Sequence, residues 1–324
     1  MKINTTEKIP VVAVVGPTAS GKTAMAIELA KIFNAEIVSA DSMQIYKGMD
    51  IASAKPDEEE MQGIRHHLID FLDNSERYSV ARYIDDATAA IKDIRSRNKN
   101  VIVCGGTGLY IDSLLKNIIF EEEPDNSEIR ENLRTRKDEE GIESLYNELK
   151  RIDPVTAESL HINNEGRILR AIETYYLTGE LPSALRERSR SVESPYEVLY
   201  IGLNYEDRDI LYDRINARVE IMVEKGLITE AKEYFSLENK HTAAQAIGHK
   251  EIIPYLSGEL SLKEAKENLK KATRHYAKRQ MTWFRRNTEI HNIYCDKYEN
   301  FSDAVNAAAM IIKTNGLFKA GETD

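Results

Sequence analysis

The sequence predicts an α/β fold in which a parallel sheet with crossover helices is interrupted by an all-helical insertion, and three observations carry that prediction. The first hundred or so residues alternate strand and helix patterns, as a parallel sheet requires. From 121 to 195 strand signals stop, and a charged, helix-forming stretch takes their place. A strand pattern then returns in "YEVLYIGL", so the sheet resumes and the insertion splits the first domain.

Taken in order, "VVAVV" reads as the first strand and leads into "GPTASGKT", which is Gly16, Pro17, Thr18, Ala19, Ser20, Gly21, Lys22 and Thr23. That stretch satisfies G-x-x-x-x-G-K-[ST] in full, with the helical "TAMAIELAKIF" behind it. The setting defines a phosphate-loop core of the P-loop NTPase-like kind. Its glycines let backbone N–H groups turn inward around an anion, and the positive end of the following helix adds to the field. Lys22 supplies a mobile positive charge, and the Thr23 hydroxyl can ligate a magnesium ion bridging two phosphates. Alone, the motif says diphosphate plus magnesium, and most chains carrying it use ATP or GTP.

"AEIVSAD" reads as the second strand. Val80, Ile84, Ala87, Ile91 and Ile94 recur at spacings of four and three, one apolar helical face, and "NVIVCGG" is the next buried strand. The insertion breaks at Gly141, at Asp153-Pro154 and at Gly179 to Pro182. After the returning strand come "RDILYDRINARVEIMVEKG", with Gly226 as its stop, and the long "SLKEAKENLKKATRHYAKRQMTWFRRN". The domain boundaries expected are 1–120 with 196–324 for the core and its C-terminal helices, and 121–195 for the helical insertion; the last ten residues are expected to fray.

At 324 residues and 42% hydrophobic content the chain can bury a substantial core. It has no apolar run of about 18 residues, and "MKINTTEKIP" lacks the apolar stretch of a secretory signal. The reading is therefore cytoplasmic, with no membrane. Of two cysteines, Cys104 ends an apolar run and reads as a buried free thiol. The net charge of −10 argues against indiscriminate nucleic-acid binding and leaves room only for a localised basic surface.

Asp41, at the carboxyl end of the second strand, has three readings: a magnesium-positioning carboxylate, an acceptor carboxylate beside the phosphate loop, or a turn cap. Thr107, in "GGTGLY", reads by itself as a turn or cap residue. Arg214 and Arg218 are four apart on one helical face, with Ile215, Val219 and Met222 on another, which suits either an oxyanion clamp or a solvated face. In the last long helix Lys271, Arg274, Lys278 and Arg285 form a basic stripe, while Leu269, Ala272, Tyr276 and Trp283 lie on a different side. His66 and His67 in "HHLID" lack a third ligand at recognisable spacing and read as a packed or hydrogen-bonded pair.

"DSMQIYKGMDIASAKP", together with "GPTASGKT", "HHLID", "GGTGLY", "LYDRINARVEIMVEKGL", "QAIGHKE" and "TRHYAKRQMTWFRRN" in this order, resembles the bacterial tRNA dimethylallyltransferases, also called tRNA isopentenyltransferases. The resemblance runs from about residue 10 to 300 and departs at "IASAKP", where the family usually has a glycine-threonine pair before "AKP", and at His249, where a tyrosine is common. It implies transfer of a dimethylallyl group from dimethylallyl diphosphate to the exocyclic amine of the adenine 3′-adjacent to the anticodon of tRNA, with release of diphosphate and magnesium as cofactor. The partners so implied are the tRNA anticodon stem-loop and the prenyl diphosphate. The loop then grips the leaving group of a prenyl donor, Asp41 accepts the amine proton, Thr107 lies near the reacting centre, and Arg214 or Arg218 holds diphosphate. With that reading the expected tRNA contacts are Asp41, Ser42, Met43 and Gln44 around a flipped adenine, Thr107, His249 and Lys250, Arg274 and Lys278 from the basic stripe, and in the insertion Arg130, Arg167 and Arg170, of which Arg130 and Arg167 are positions the family pattern suggests.

Three rivals remain at this level. An adenylate isopentenyltransferase would leave the 120-odd residues after 200 and their basic helix without obvious work. A P-loop metabolite or nucleoside kinase is what the loop alone favours. An RNA-binding switch would use the loop only to sense nucleotide. Nothing in the sequence demands more than a monomer.

Overall fold

The computed structural model of the chain describes residues 8–120, 127–236 and 246–318. The first residues of the expected insertion, Gln245 of the "QAIGHKE" block, and the last six of the ten residues expected to fray lie outside them. Two compact units divide the chain: Met1–Leu115 with Ser194–Asp324, and Lys116–Glu193.

The first unit is built on a six-stranded, wholly parallel sheet. Its strands are β1 (Ile9–Val15), β2 (Ala35–Ser39), β3 (His66–His67), β4 (Asn100–Gly105), β5 (Tyr196–Asn204) and β6 (His291–Tyr294), in the order β3-β2-β4-β1-β5-β6. β1 pairs in register with β4 on one side, Val15 against Gly105, and with β5 on the other, Val15 against Gly202. Because a pleated strand alternates its side chains, the unbroken apolar run in β1 feeds two cores. Val11, Ala13 and Val15 pack with Tyr83, Ala87, Ile91 and Ile94 of helix α3 (Val80–Ser96). Val12 and Val14 pack with Met25 and Leu29 of α1 (Lys22–Ile32) and, further along the chain, with Ala308 and Ile312 of the last helix (Phe301–Asn315). Each fully buried valine is worth about 2 kcal/mol of transfer free energy, which is why this strand fixes the register of the rest.

The two edge strands were not expected from the sequence. β3 is two half-buried histidines, and three of the four β6 residues are exposed, so neither has the apolar alternation by which a strand is recognised. They are held from outside the pattern: the His67 ring binds the Glu36 carboxylate on β2 at 2.7 Å.

After β2 a short helix α2 (Glu58–Met61) precedes β3, and α4 (Gly108–Leu115) follows β4. In the Lys116–Glu193 unit, α5 (Ser127–Glu140), α6 (Ile142–Ile152), α7 (Pro154–Glu158), α8 (Glu165–Thr178) and α9 (Pro182–Ser189) enclose their own core of Leu133, Leu145, Leu149, Ile168 and Ile172. Its helices end at the sequence breaks. Asp153 accepts the Thr156 N–H at 3.0 Å and the Ser183 N–H at 2.8 Å, so one carboxylate caps two helix starts.

Beyond β5 come α10 (Arg208–Glu224), α11 (Leu227–Ser236), α12 (His249–Leu256), α13 (Leu262–Phe284) and α14 (Phe301–Asn315). α13 opens on a capping box, with Ser261 and Glu264 bonding each other's backbone N–H. No helix among the described residues is long and apolar enough to cross a membrane.

Candidate active site

The carboxyl ends of β1, β2 and β4 face α10 and α13 around one cavity of about 360 Å³. This is where an open parallel sheet binds its ligands. The phosphate loop supplies one wall. Gly21 turns through φ 95°, a left-handed value that glycine takes without strain, and α1 starts at Lys22 with no side-chain cap on its first N–H groups. Those donors are free for an anion. The Ser20 hydroxyl is buried inside the loop with no hydrogen-bond partner among the described residues, a second donor without an acceptor there. Lys22 Nζ donates to the Pro17 carbonyl at 3.2 Å. Burial pulls its ammonium pKa down; the neighbouring Cys104 and the Asp41 carboxylate oppose that, and Arg218 adds to it. Cys104 is a buried free thiol, pushed up to about 12 by burial.

The two arginines of α10 divide the labour. Arg214 Nε donates to the Ala19 carbonyl at 2.9 Å and so holds the loop itself. Arg218 lines the cavity and makes no hydrogen bond or ion pair among the described residues. Burial lowers its pKa, with Asp41 and Glu60 opposing and Arg214 assisting. A half-buried guanidinium without an acceptor, beside a phosphate loop, is a preformed oxyanion site. Ile215, Val219 and Met222, on the other side of the same helix, are buried. With Leu269 of α13 they also form an apolar part of the cavity wall.

Asp41 is a turn cap, as one of its sequence readings had it. Its Oδ1 accepts the N–H groups of Met43 at 2.9 Å and Gln44 at 3.4 Å, so it caps the turn after β2. Its Oδ2 makes no hydrogen bond among the described residues, and the residue lines the cavity. Thr107 reaches the same turn: its Oγ1 accepts the Ser42 N–H at 3.1 Å, and its own N–H donates to the Ala40 carbonyl at 3.1 Å. Gln44 Nε2 donates to the Ala54 carbonyl at 3.1 Å. Asp41, Ser42, Met43, Gln44, Lys22, Thr23, Thr18 and Arg218 are thus gathered on one cavity.

The sequence reading missed Gln280. It lies on the inner face of α13 and is 5% exposed. Its Oε1 accepts the Thr18 N–H of the phosphate loop at 2.8 Å, and its Nε2 donates to the Gly106 carbonyl at 3.0 Å. A Cβ at Gly106 would sit 2.2 Å from that amide nitrogen, so a larger residue there would have to displace the Gln280 side chain. The signal was present: 280 stands eleven residues after Leu269 and three after Ala277, on the buried face, where a glutamine is out of place. Tyr276, one turn earlier, has its hydroxyl pKa raised by burial and by Asp41.

Several expected tRNA contacts need correction. His249 is fully buried, with Nε2 2.7 Å from Glu230 Oε1; an imidazole with no surface cannot touch a nucleic acid directly. Arg274 is not on a free stripe, since its guanidinium donates to Asn216 Oδ1 at 2.6 Å and is half-buried against α10. The buried line of α13 runs through Ala265, Leu269, Ala277 and Gln280, and Trp283 turns its Nε1–H to Asp112 at 2.7 Å. Lys271, Lys278 and Arg285 are exposed, as is Lys250. In the helical unit Arg130 and Arg170 both bind the buried Glu173, at 2.9 Å and 3.0 Å, while Arg167 is exposed and unpaired among the described residues.

A cavity that gathers donors for an anionic group beside a carboxylate oxygen with no hydrogen bond among the described residues has the layout of a group-transferring enzyme on a phosphate-loop α/β fold. The comparisons with known proteins make the class specific. Residues 44–287 match the family model described as IPP transferase. A tRNA dimethylallyltransferase of Acetivibrio thermocellus is 47% identical over 95% of this chain and 99% of its own. The full-length tRNA isopentenylpyrophosphate transferase of Bacillus halodurans is 41% identical, with a TM-score of 0.71 over 95% of this chain and 96% of that one. A eukaryotic dimethylallyltransferase acting on tRNA superposes with a TM-score of 0.77 at 28% identity, over 98% of this chain and 82% of that one. The chain belongs to the tRNA dimethylallyltransferase family.

Proposed function

We propose that this chain transfers the dimethylallyl group of dimethylallyl diphosphate to the exocyclic amine of the adenine 3′-adjacent to the anticodon of tRNA, and releases diphosphate. The observation that carries the reading is the shared cavity: phosphate-loop donors and Arg218 at one place, the free oxygen of Asp41 at another, and an apolar wall of Ile215, Val219, Met222 and Leu269 between the helices. A short branched hydrocarbon suits that wall, whereas the ribose and base of a nucleotide would leave polar groups unpaired there.

In the step proposed, the allylic C–O bond breaks, the adenine nitrogen bonds the prenyl carbon, and the amine proton passes to Asp41 Oδ2. Negative charge grows on the departing diphosphate, where Lys22, Arg218 and the free N–H groups of α1 can stabilise it. Thr107 and the Asp41 cap keep the turn that presents Asp41 and Gln44 in place. The Thr23 hydroxyl makes no hydrogen bond among the described residues and would hold a magnesium ion at the phosphate loop. Such an ion, when bound, would neutralise charge on the leaving group. Lys271, Lys278, Arg285 and Lys250 supply the tRNA-binding surface, with Arg167, Arg130 and Arg170 as contacts from the insertion. A tRNA acceptor is consistent with work in the cytoplasm, and every group named belongs to one chain.

The test is incubation of the protein with labelled dimethylallyl diphosphate and unmodified tRNA, in parallel with AMP, and with ATP plus kinase acceptors. Label on the anticodon-loop adenine is expected. Label on AMP and none on tRNA, or phosphate transfer from ATP without prenylation, would overturn the proposal.

A further inference from the structure

We infer that His249 is a positioning residue for the acceptor side of the cavity, acting through Glu230 and the turn at Asp50–Ala54 on Gln44. The inference rests on the function proposed above, and its observations are separate from the diphosphate end.

Residues 50–54 form consecutive turns with no helix or strand to define them. Besides their own turn hydrogen bonds, Ala54 N–H to the Ile51 carbonyl at 3.0 Å and Lys55 N–H to the Asp50 carbonyl at 2.9 Å, one carboxylate from another helix holds them. Glu230, in the first turn of α11, accepts the Asp50 N–H at 2.9 Å and the Ile51 N–H at 2.6 Å on Oε2, and the Ala52 N–H at 2.9 Å on Oε1. Three successive backbone donors around an anion make a nest of the kind that ordinarily binds a phosphate. Here the anion belongs to the protein. The fourth donor is His249, whose Nε2 lies 2.7 Å from the same Oε1. Its Nδ1 is buried with no partner among the described residues, beside the Tyr234 ring at 4.8 Å between centroids. Only Nε2 has an acceptor to meet, so the tautomer with hydrogen on Nε2 is the one this surrounding holds.

The other face of the same turn meets the cavity. The Ser53 and Ala54 carbonyls accept Gln44 Nε2 at 3.4 and 3.1 Å, and the Gln44 N–H reaches Asp41 Oδ1 at 3.4 Å. Gln44 and residues 52–54 line the cavity. The turn packs closely against the start of α12: a Cβ on Gly248 would lie 2.9 Å from the Ala52 Cβ. His249 therefore sets the position of the Gln44 amide without touching substrate. Arg214, Arg218 and Lys22 contact none of these hydrogen bonds, so the effect of losing His249 should appear on the acceptor and not on the prenyl donor.

His249→Phe removes the donor and keeps the bulk. It should lower kcat/KM for tRNA about tenfold, mainly through KM, and leave KM for dimethylallyl diphosphate within about twofold. His249→Gln, which returns a donor toward Glu230, should recover most of that loss. A double-mutant cycle with Gln44→Ala supplies the readout that a purely structural role does not move. The two side chains do not touch, yet their effects on tRNA kcat/KM should fall short of multiplying by about threefold or more. If His249→Phe does not fold, Glu230→Gln keeps the shape, removes the charge that gathers four donors, and carries the same expectation. Multiplicative effects, equal losses toward both substrates, or unchanged tRNA kinetics in a folded variant would overturn the inference. If wild-type protein fails to label tRNA, it is the proposed function that fails instead.

Discussion

Replacing Gln280 by leucine tests whether α13 holds the phosphate loop in its working shape. The side chain keeps its approximate volume and loses both hydrogen bonds, leaving the Thr18 N–H and the Gly106 carbonyl without their partner. Gly106 is buried and Thr18 half-buried, so one group bears the full cost of an unmade bond and the other a fraction of it, about 2–3 kcal/mol together. If that energy falls on the loop's ability to hold the leaving group, kcat/KM for dimethylallyl diphosphate drops about 30- to 150-fold. Steady-state transfer of labelled prenyl to tRNA, with each substrate varied in turn, measures it. Gly106→Ala should mimic the variant from the other side, since its Cβ would occupy the amide's position, 2.2 Å from Nε2. A fall in melting temperature with both kinetic constants intact would refute the reasoning, for the bonds would then stabilise the fold without shaping the site.

Asp41→Ala should reduce turnover by about 10² or more with tRNA affinity near normal, checked by single-turnover kinetics beside filter binding; wild-type turnover would reject the proton-accepting role. Reversing Lys271 and Lys278 together to glutamate should weaken tRNA binding and make the slope of log affinity against log salt about 1.5 shallower, and an unaltered slope would remove the exposed side of α13 from the interface. Glu36 gives a stability prediction away from the site. Burial raises its pKa, but Arg97, His67 and Lys99 outweigh burial and hold it at about 2, against an ordinary 4.5. A depressed carboxylate stabilises the fold above its unfolded pKa, and that contribution is lost as pH falls through the folded one. Melting temperature should therefore decline between about pH 5 and 2 in the wild type, and less steeply in Glu36→Gln, which should also be about 3 kcal/mol less stable near neutrality; identical acid profiles would contradict the assignment.

How much of this was legible in the sequence depended on whether a residue's task is fixed by local geometry. The phosphate loop was readable because a backbone that wraps an anion permits few residues at Gly16, Gly21, Lys22 and Thr23. β1, β2, β4 and β5 were readable because each carries a run of buried apolar residues, even where a charged residue such as Glu36 in β2 or Glu197 in β5 interrupts it. The edge strands were not, since two histidines and "HNIY" owe their pairing to neighbours such as Glu36 and to the strand beside them. At the site, the helical spacing of Arg214 and Arg218 was visible, but only the fold separates the one that braces Ala19 from the one left open to the cavity. Charge spacing placed Arg274 on a free stripe, and Asn216, far away in sequence, draws it inward. His249 looked like a surface contact and is interior, because its partner Glu230 sits on a different helix. Gln280 carried a local signal, a polar residue on a buried face, whose meaning required knowing that Thr18 and Gly106 would come to it.

One small contact at the edge of the core has a large bearing on how the chain is assembled. The Ser194 hydroxyl donates to the Leu115 carbonyl at 2.6 Å, joining the last residue before the helical unit to the first one after it. The core's path is thereby closed at that gate: β5 can find β1 whether a whole helical unit or only a few residues are strung between the two posts. An insertion whose two ends are held this close can be lengthened or replaced without changing the order in which the strands of the first unit pair.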